Sequence, residues 1–228
     1  KVTENTISSK PLSMVLYVLN ATQLSTDDDK GLLDSVSKAM KAGGRNAQDR
    51  FIFIANKIDN FDPEKGESVG RALKNIRKYL QENGIVNPLV IPASAELAKL
   101  VRMERFNEKL TRSQRRSSRG YVELFVEEDE MNMLSHVKGH INKSSYQLLE
   151  ERLEHCSSDE DKAEIRSGIP IVEELFNNFL QKHALPSKVK DAVDIFSHVM
   201  AQTNGIKKLN DLLKEGEEGR ISAAASLK

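Results

Sequence analysis

Short apolar runs alternate with stretches of helical periodicity along the first part of the chain. Apolar runs at 14–19, 51–55 and 88–92 are typical of strands buried on both faces of a parallel sheet. Residues 32–40 and 67–83 carry apolar side chains three or four positions apart, which predicts a helix after each of the first two strands. The order forms two overlapping strand–helix–strand units. We therefore expect a parallel sheet with right-handed crossovers.

Capping residues mark the ends of the first predicted helix. Ser25 or Thr26 precedes the acidic turn Asp27-Asp28-Asp29, and carboxylates favour the positive end of a helix dipole. Gly43-Gly44 is expected to end this helix as a C-cap.

The second half of the chain is predicted to be mainly helical. Residues 133–153 are expected to form a helix or helix pair that breaks near Gly139, and 170–183 a helix that Pro186 stops. A wide apolar stripe then predicts a further helix over 189–200.

The last residues are predicted to be less ordered. Residues 205–213 have the spacing of a short amphipathic helix, and 216–228, rich in Ala and Ser, are expected to fray or to act as a linker.

Polar residues follow two of the predicted strands. Asn56-Lys57-Ile58-Asp59 follows the strand 51–55, and Ser94-Ala95-Glu96 follows the third strand, so both groups are expected at one edge of the sheet. The Asp59 carboxylate could accept the N1–H and the exocyclic N2–H of a guanine.

Asn56 could brace the loops through its amide or contact the acceptors of the base, and the Lys57 stem could lie along an aromatic base. Simpler roles remain open, with the Asn and Asp as turn residues and Ser94 as a helix N-cap.

These groups resemble motifs of the GTPase family. Asn56-Lys57-x-Asp59 resembles its guanine-specificity motif, and Ser94-Ala95 resembles its Ser-Ala-Lys loop, although Glu96 stands where the family has Lys. Gly168-Ile169-Pro170 resembles the start of the last helix of such a domain. The resemblance implies that Asp59 recognises the base, that Lys57 lies along it, and that the backbone of Ser94, Ala95 and Glu96 contacts it.

The flanking sequence resembles bacterial dynamin-like large GTPases, over roughly residues 1–203. The similarity lies in the strand exit that begins at Val18-Leu19-Asn20, in the Phe61-Asp62 that follows the Asp59 motif, and in a long insertion before Gly168. It implies an α/β fold: a partial P-loop GTPase, Rossmann-like, with a parallel sheet flanked by helices, a largely helical insertion and a C-terminal helical extension. It also implies GTP or GDP as ligand and, in the whole protein, GTP hydrolysis coupled to self-assembly and to membrane or partner remodelling.

The resemblance divides the chain into four parts. Residues 1–96 correspond to the C-terminal half of the GTPase core, 97–167 to a charged insertion, 168–183 to the last helix of the domain, and 184–228 to a helical extension and tail. If the sheet lacks the strands that precede this half, its edge should be exposed. Homodimerisation or partner binding through that edge is then expected.

The amino-acid composition bears on the possible partners and on the cellular compartment of the protein. Thirty-four Lys and Arg balance 34 Asp and Glu among 228 residues, so overall charge gives no support for a nucleic-acid partner. The single cysteine, Cys156, fits a reducing cytosol, and no apolar run reaches the roughly 20 residues that span a bilayer.

The start of the sequence bears on targeting. It lacks Met and an apolar core, which indicates a processed or partial chain without a signal peptide. We expect a cytoplasmic protein, with peripheral membrane contact by the whole protein as the alternative.

The insertion carries a strongly basic run. Residues 99–119 contain eight Lys or Arg and two Glu, and five acids follow within 121–130. We expect the basic run to pair with the acidic segment behind it, while contact with phosphate, acidic lipid or a partner remains the alternative.

The chain is expected to lack two parts of a GTPase, the phosphate loop and the Asp-x-x-Gly motif that binds Mg²⁺. No G-x-x-x-x-G-K-[ST] phosphate loop occurs in it. Mg²⁺ is expected to bind only through residues missing from this chain, which in the family precede the strand 14–19. No catalytic residue is therefore assigned. The rival interpretation is a non-catalytic interaction module that retains the GTPase fold without binding nucleotide.

Overall fold

The computed structural model describes residues 14–23, 27–42, 50–202 and 213–216. The predicted helix start at Ser25 or Thr26, the Gly43-Gly44 C-cap, most of the amphipathic segment 205–213 and nearly all of the tail 216–228 lie outside the described residues. Contacts divide the chain into two units, 1–180 and 181–228, each described by itself. No described helix is long and apolar enough to cross a membrane.

The first unit is an α/β structure with a three-stranded parallel sheet. Strands β1 (Val15–Asn20), β2 (Phe51–Asn56) and β3 (Val90–Ala93) lie in the order β1-β2-β3. Asn20 pairs in register with Asn56, and Asn56 with Ala93, so the carboxyl ends of all three strands meet at one edge. This agrees with the sheet that the sequence predicts.

Burial along the strands follows the apolar pattern. Phe51 to Ala55 are all buried, since β2 is the central strand, while β1 buries Tyr17 and Leu19 and exposes Leu16 and Val18. Among the described residues no strand pairs with the outer edge of β1.

Helices α1 (Asp27–Ala42) and α2 (Val69–Glu82) make the two crossovers. The apolar face of α2 is buried, and the Ser68 side chain caps its first turn. Ser37 Oγ donates to the Gly84 carbonyl at 2.8 Å, which holds α1 beside the end of α2.

Five further helices of the first unit lie in the described part of the chain. They are α3 (Ala95–Arg105), α4 (Arg112–Glu127), α5 (Lys143–Glu154), α6 (Asp159–Arg166) and α7 (Ile169–Phe179). Helix α4 packs on α3 and α6, and α7 packs on α5, α6 and β3. The helices of the predicted insertion therefore share one core with the sheet.

The structure differs from the prediction over residues 133–153. The first part of this stretch forms a single short 3-10 turn, Ser135–Val137, and Gly139 adopts a left-handed φ of 78° before α5. Its apolar residues Met133, Leu134 and Val137 are buried, so they meet the core from an irregular segment and not from a helix face.

Pro186 also acts differently from the prediction. Helix α7 ends at Phe179, and a π-helical turn spans Leu180–Ala184. The described residues of the second unit include α8 (Leu185–Gln202) and a helical turn at 213–216. Pro186 is the second residue of α8, directly after the π-helical turn. It therefore lies at the start of a helix and does not stop the one before.

The basic run pairs with different acids from those predicted. Arg102 contacts Glu164 and Glu173, and Arg105 contacts Asp161 and Glu164, all on α6 and α7. Hydrogen bonds to Glu173 and Glu164 raise the pKa of Arg102 in spite of its partial burial. The predicted pairing with residues 121–130 is therefore wrong for these two arginines.

Gly168 permits a close approach between its backbone and strand β3. Its φ is 82°, and a Cβ added there would lie 2.0 Å from the Pro92 carbonyl oxygen in β3. Only glycine fits this position without displacing the strand.

We predict that Gly168→Ala lowers the free energy of unfolding by about 3 kcal/mol, combining left-handed backbone strain with a steric clash. The measurement is urea denaturation. Gly66→Ala is the matched control, since Gly66 has a φ of 76° and open space around its Cβ position. It should cost only about 1 kcal/mol. If both variants lose the same free energy of unfolding, the close approach of Gly168 to β3 does not require glycine.

Candidate guanine-recognition site

The polar groups that follow β2 and β3 lie together at the carboxyl edge of the sheet. Asn56 is the last residue of β2 and Ser94 directly follows β3, where it caps α3. Asp59 lies in a 3-10 turn, Ile58–Asn60, that is anchored by the buried Ile58 side chain. The fold therefore brings the two sequence motifs together.

Ser94 is the buried link between the motifs. Its hydroxyl donates to Asp59 Oδ1 at 2.6 Å and accepts the Leu97 backbone N–H at 3.2 Å. Its backbone N–H donates to the Ser167 carbonyl at 2.8 Å. The N-cap interpretation of Ser94 is therefore confirmed, and the same hydroxyl orients the Asp59 carboxylate.

The Asp59 carboxylate still has hydrogen-bond acceptor positions that no protein group occupies. It is partly exposed, and among the described residues only the Ser94 hydroxyl donates to its side chain. Oδ2 and the second lone pair of Oδ1 therefore remain available for two parallel N–H donors. A guanine edge presents such a pair.

Asn56 connects the loops that follow the three strands. Its side-chain oxygen accepts the Ala95 N–H at 3.0 Å, and its backbone carbonyl accepts the Ala21 N–H at 2.9 Å. Ala21 follows β1, so Asn56 contacts both neighbouring strand exits. This geometry is that of a bracing residue.

The backbone of the Ser94–Glu96 loop is already largely engaged. The Ser94 N–H bonds to Ser167 and the Ala95 N–H to Asn56. In the described part of the chain, the Glu96 N–H donates to no protein acceptor. It lies in the first turn of α3, where backbone N–H groups carry partial positive charge. Of the three predicted backbone contacts, Glu96 is the one still open.

Lys57 has a strained backbone. Its φ of 72° is left-handed, a conformation that costs a non-glycine residue about 1 kcal/mol. Its side chain is exposed and forms no ion pair among the described residues. The Lys57 stem is therefore at liberty to cover a planar ligand beside Asp59. Strain of this kind is found disproportionately at functional sites.

One residue near the site was not predicted. Partial burial raises the pKa of Tyr121, and the charges of Asp59 and Glu96 raise it further. Tyr121 belongs to α4, so the insertion reaches the vicinity of the motif. Its spacing from the buried Ser118 and Phe125 indicates an inward-facing position, but nothing in the sequence indicates what it faces.

The phosphate half of a GTPase site has no counterpart in the described structure. The letters Asp-x-x-Gly occur once, at Asp28–Gly31, but within α1 and not in a loop after a strand. No group of three or more His, Cys, Asp or Glu side chains is placed to hold a metal in the part of the chain described. These residues therefore assign no Mg²⁺ ligand.

A scan against protein-family models gave no match, and neither the curated proteins nor the solved structures gave a significant one. The functional interpretation of the edge therefore depends on its own geometry.

We predict that Ser94→Ala lowers the free energy of unfolding by about 2 kcal/mol, because it removes both a helix cap and a hydrogen bond to a carboxylate. Thermal denaturation measures the change. Ser158→Ala is the matched control, since Ser158 caps α6 through Asp161 alone and should cost about 1 kcal/mol. If the two losses are equal, the bond to Asp59 adds nothing to stability.

Proposed function

We propose that this chain is the guanine-recognising portion of a dynamin-like GTPase domain and binds GTP or GDP through the carboxyl edge of its sheet. The observation that carries the proposal is the Asp59 carboxylate, fixed on one oxygen by the buried Ser94 hydroxyl and open on the other. A carboxylate held in this way can take the N1–H and N2–H of guanine without first being ordered.

Two neighbouring features support the same ligand. The open Glu96 N–H at the start of α3 suits the carbonyl oxygen of guanine, which adenine lacks. The exposed Lys57 beside Asp59 suits the flat face of a base. Together they provide an acceptor, a donor and a stacking surface at one edge.

The strand order supports the wider family assignment. In a partial P-loop GTPase fold, three parallel strands in sequence order would carry the base-recognition loops on the second and third. The motifs here lie after β2 and β3, and the Gly168 turn packs against β3. Phosphate and Mg²⁺ binding, GTP hydrolysis and any coupling to self-assembly or to membranes would belong to the whole protein.

A non-catalytic interaction module is the second candidate. The observation that favours it is that part of the edge is already satisfied without a ligand: Asn56 accepts the Ala95 N–H, and Ser94 donates to one oxygen of Asp59. Such a module would keep these bonds for stability alone and bind no nucleotide.

We expect GDP and GTP to bind to the 228-residue chain weakly, since charge-assisted hydrogen bonds contribute about 1.5–3 kcal/mol each and association itself has a cost. A dissociation constant of about 1 mM corresponds to about −4 kcal/mol, so ligand-observed NMR is the suitable measurement. Guanosine should bind like GDP if the base alone is recognised. ATP is the negative control.

If none of the three guanine ligands binds to the chain while a longer form of the protein binds GTP, the chain serves as a scaffold. Failure of the longer form as well would exclude the GTPase assignment.

We predict that Asp59→Asn shifts preference from guanosine to xanthosine by about tenfold or more. The Asn amide donates where the carboxylate accepts, and xanthine offers an oxygen where guanine offers its amino group. Ser94 can still donate to the Asn oxygen, so the turn should persist. Asp34→Asn is the matched control, because Asp34 lies exposed on α1 and pairs with Lys38. An unchanged base preference would remove Asp59 from the site.

A further inference from the structure

Helix α4 carries a stripe of charged side chains on the side turned away from the core. Its members share exposure and a spacing of three or four residues: Arg112, Arg116, Arg119, Glu123 and Glu127. Ser118 and Phe125 are buried on the opposite side of the helix. Across the described ranges of the chain, none of the five charged side chains forms an ion pair or hydrogen bond. Within the described part of one copy, these five charges therefore have no partner of opposite charge.

The order of these charges opposes the helix dipole. The arginines occupy the N-terminal half of α4, where the dipole favours acids, and the glutamates occupy the C-terminal half, where it favours bases. The stripe therefore does not stabilise its own helix.

The stripe is complementary to itself when reversed. Its midpoint lies between Arg119 and Gly120, and Arg112 and Arg116 lie as far before it as Glu127 and Glu123 lie after it. Two copies of α4 packed antiparallel about a two-fold axis would place Arg112 and Arg116 of one copy opposite Glu127 and Glu123 of the other, while Arg119 lies beside the axis, opposite Gly120, without an acid facing it. Four ion pairs would form, two from each half of the stripe.

Gly120 lies at the centre of this arrangement. It is exposed in the interior of a regular helix, where glycine is a poor helix former, and a Cβ added there would meet nothing within 4 Å. Packing within the chain therefore does not require glycine at this position. A second helix that crosses at the two-fold axis would use it, because the missing side chain lets two backbones approach closely.

A cleft beside the acidic half provides room for a partner. Its volume is about 320 Å³, and it lies between α4 and the start of α6. Val122 and Val126 contribute apolar surface, while Asp159, Glu160 and Glu104 add further acids that outnumber the single base, Arg119. The arginine end of a second α4 matches this combination of charge and apolar contact.

We propose that α4 is an isologous dimer interface and that its occupant is a second copy of this chain, packed antiparallel with Gly120 at the crossing point. Helix α4 is about 24 Å long, so the contact is small and the dimer should be weak and salt-sensitive. The interface involves none of the proposed base-recognition residues, so it does not depend on guanine binding.

Charge reversal tests the pairing, with sedimentation equilibrium at low salt as the measurement. Arg112→Glu with Arg116→Glu should weaken the dimer about tenfold or more, because each pair changes from attraction to repulsion. Glu123→Arg with Glu127→Arg should do the same. Mixing these two variants should restore a one-to-one dimer, and so should all four changes in one chain.

Gly120→Leu is a second, independent test, which probes the close approach of the two helices. It should strengthen the helix and leave thermal stability equal or higher, while it weakens the dimer by blocking close approach. Arg71→Glu, an exposed reversal on α2, is the matched control and should leave association unchanged.

The proposal is overturned if the unaltered chain stays monomeric at about 100 µM and low salt, a concentration at which even weak contacts populate a dimer. It is also overturned if a dimer survives both double reversals unchanged, or if the four-fold variant and the mixture fail to associate while remaining folded by circular dichroism.

Discussion

The arrangement of the sheet edge depends on one buried hydroxyl. Ser94 lies where β3 ends, and its three hydrogen bonds join the turn that carries Asp59, the first turn of α3 and the segment before Gly168. These segments are far apart in the sequence, so none of them could fix its partners locally. A buried side chain that satisfies both a cap and a carboxylate has little freedom to rearrange, and the edge is therefore organised before any ligand arrives.

The insertion contributes to this organisation and is not simply appended to the fold. The Met133 N–H donates to the Arg166 carbonyl, and the Arg166 guanidinium donates to the carbonyls of Phe125 and Val126. Arg102 reaches Glu164 and Glu173 from α3. Breaking such partly buried contacts leaves a charge without a partner, which is costly even where the pair itself adds little net stability. Helix α7 therefore reaches β3 supported by ion pairs that the insertion supplies.

The sequence predicted the features that local pattern determines. The three strands, α2 and the Gly168 turn follow from apolar runs, capping residues and one Gly-Ile-Pro, and the observed bounds differ by only one or two residues. The ion pairs of Arg102 and Arg105 differ from the prediction because charges that are neighbours in the sequence need not be neighbours in space, and both arginines reach acids on α6 and α7. Residues 133–137 were mispredicted because apolar side chains at suitable spacing can also enter a core from an irregular segment. Tyr121 was missed because its surroundings arise only from how α4 packs.

The distribution of bonds at the edge limits how a base could be recognised there. With the Ala95 N–H engaged by Asn56, a guanine carbonyl oxygen has the Glu96 N–H as its open donor in the loop. Recognition would then use one carboxylate and one backbone group, both fixed by bonds to the protein. Few fixed contacts give strong discrimination between bases and little affinity, because a mismatched base leaves these groups unpaired while a matched one gains only two or three hydrogen bonds. If the edge binds guanine as proposed, it would therefore contribute selectivity for the base and little of the affinity for a nucleotide.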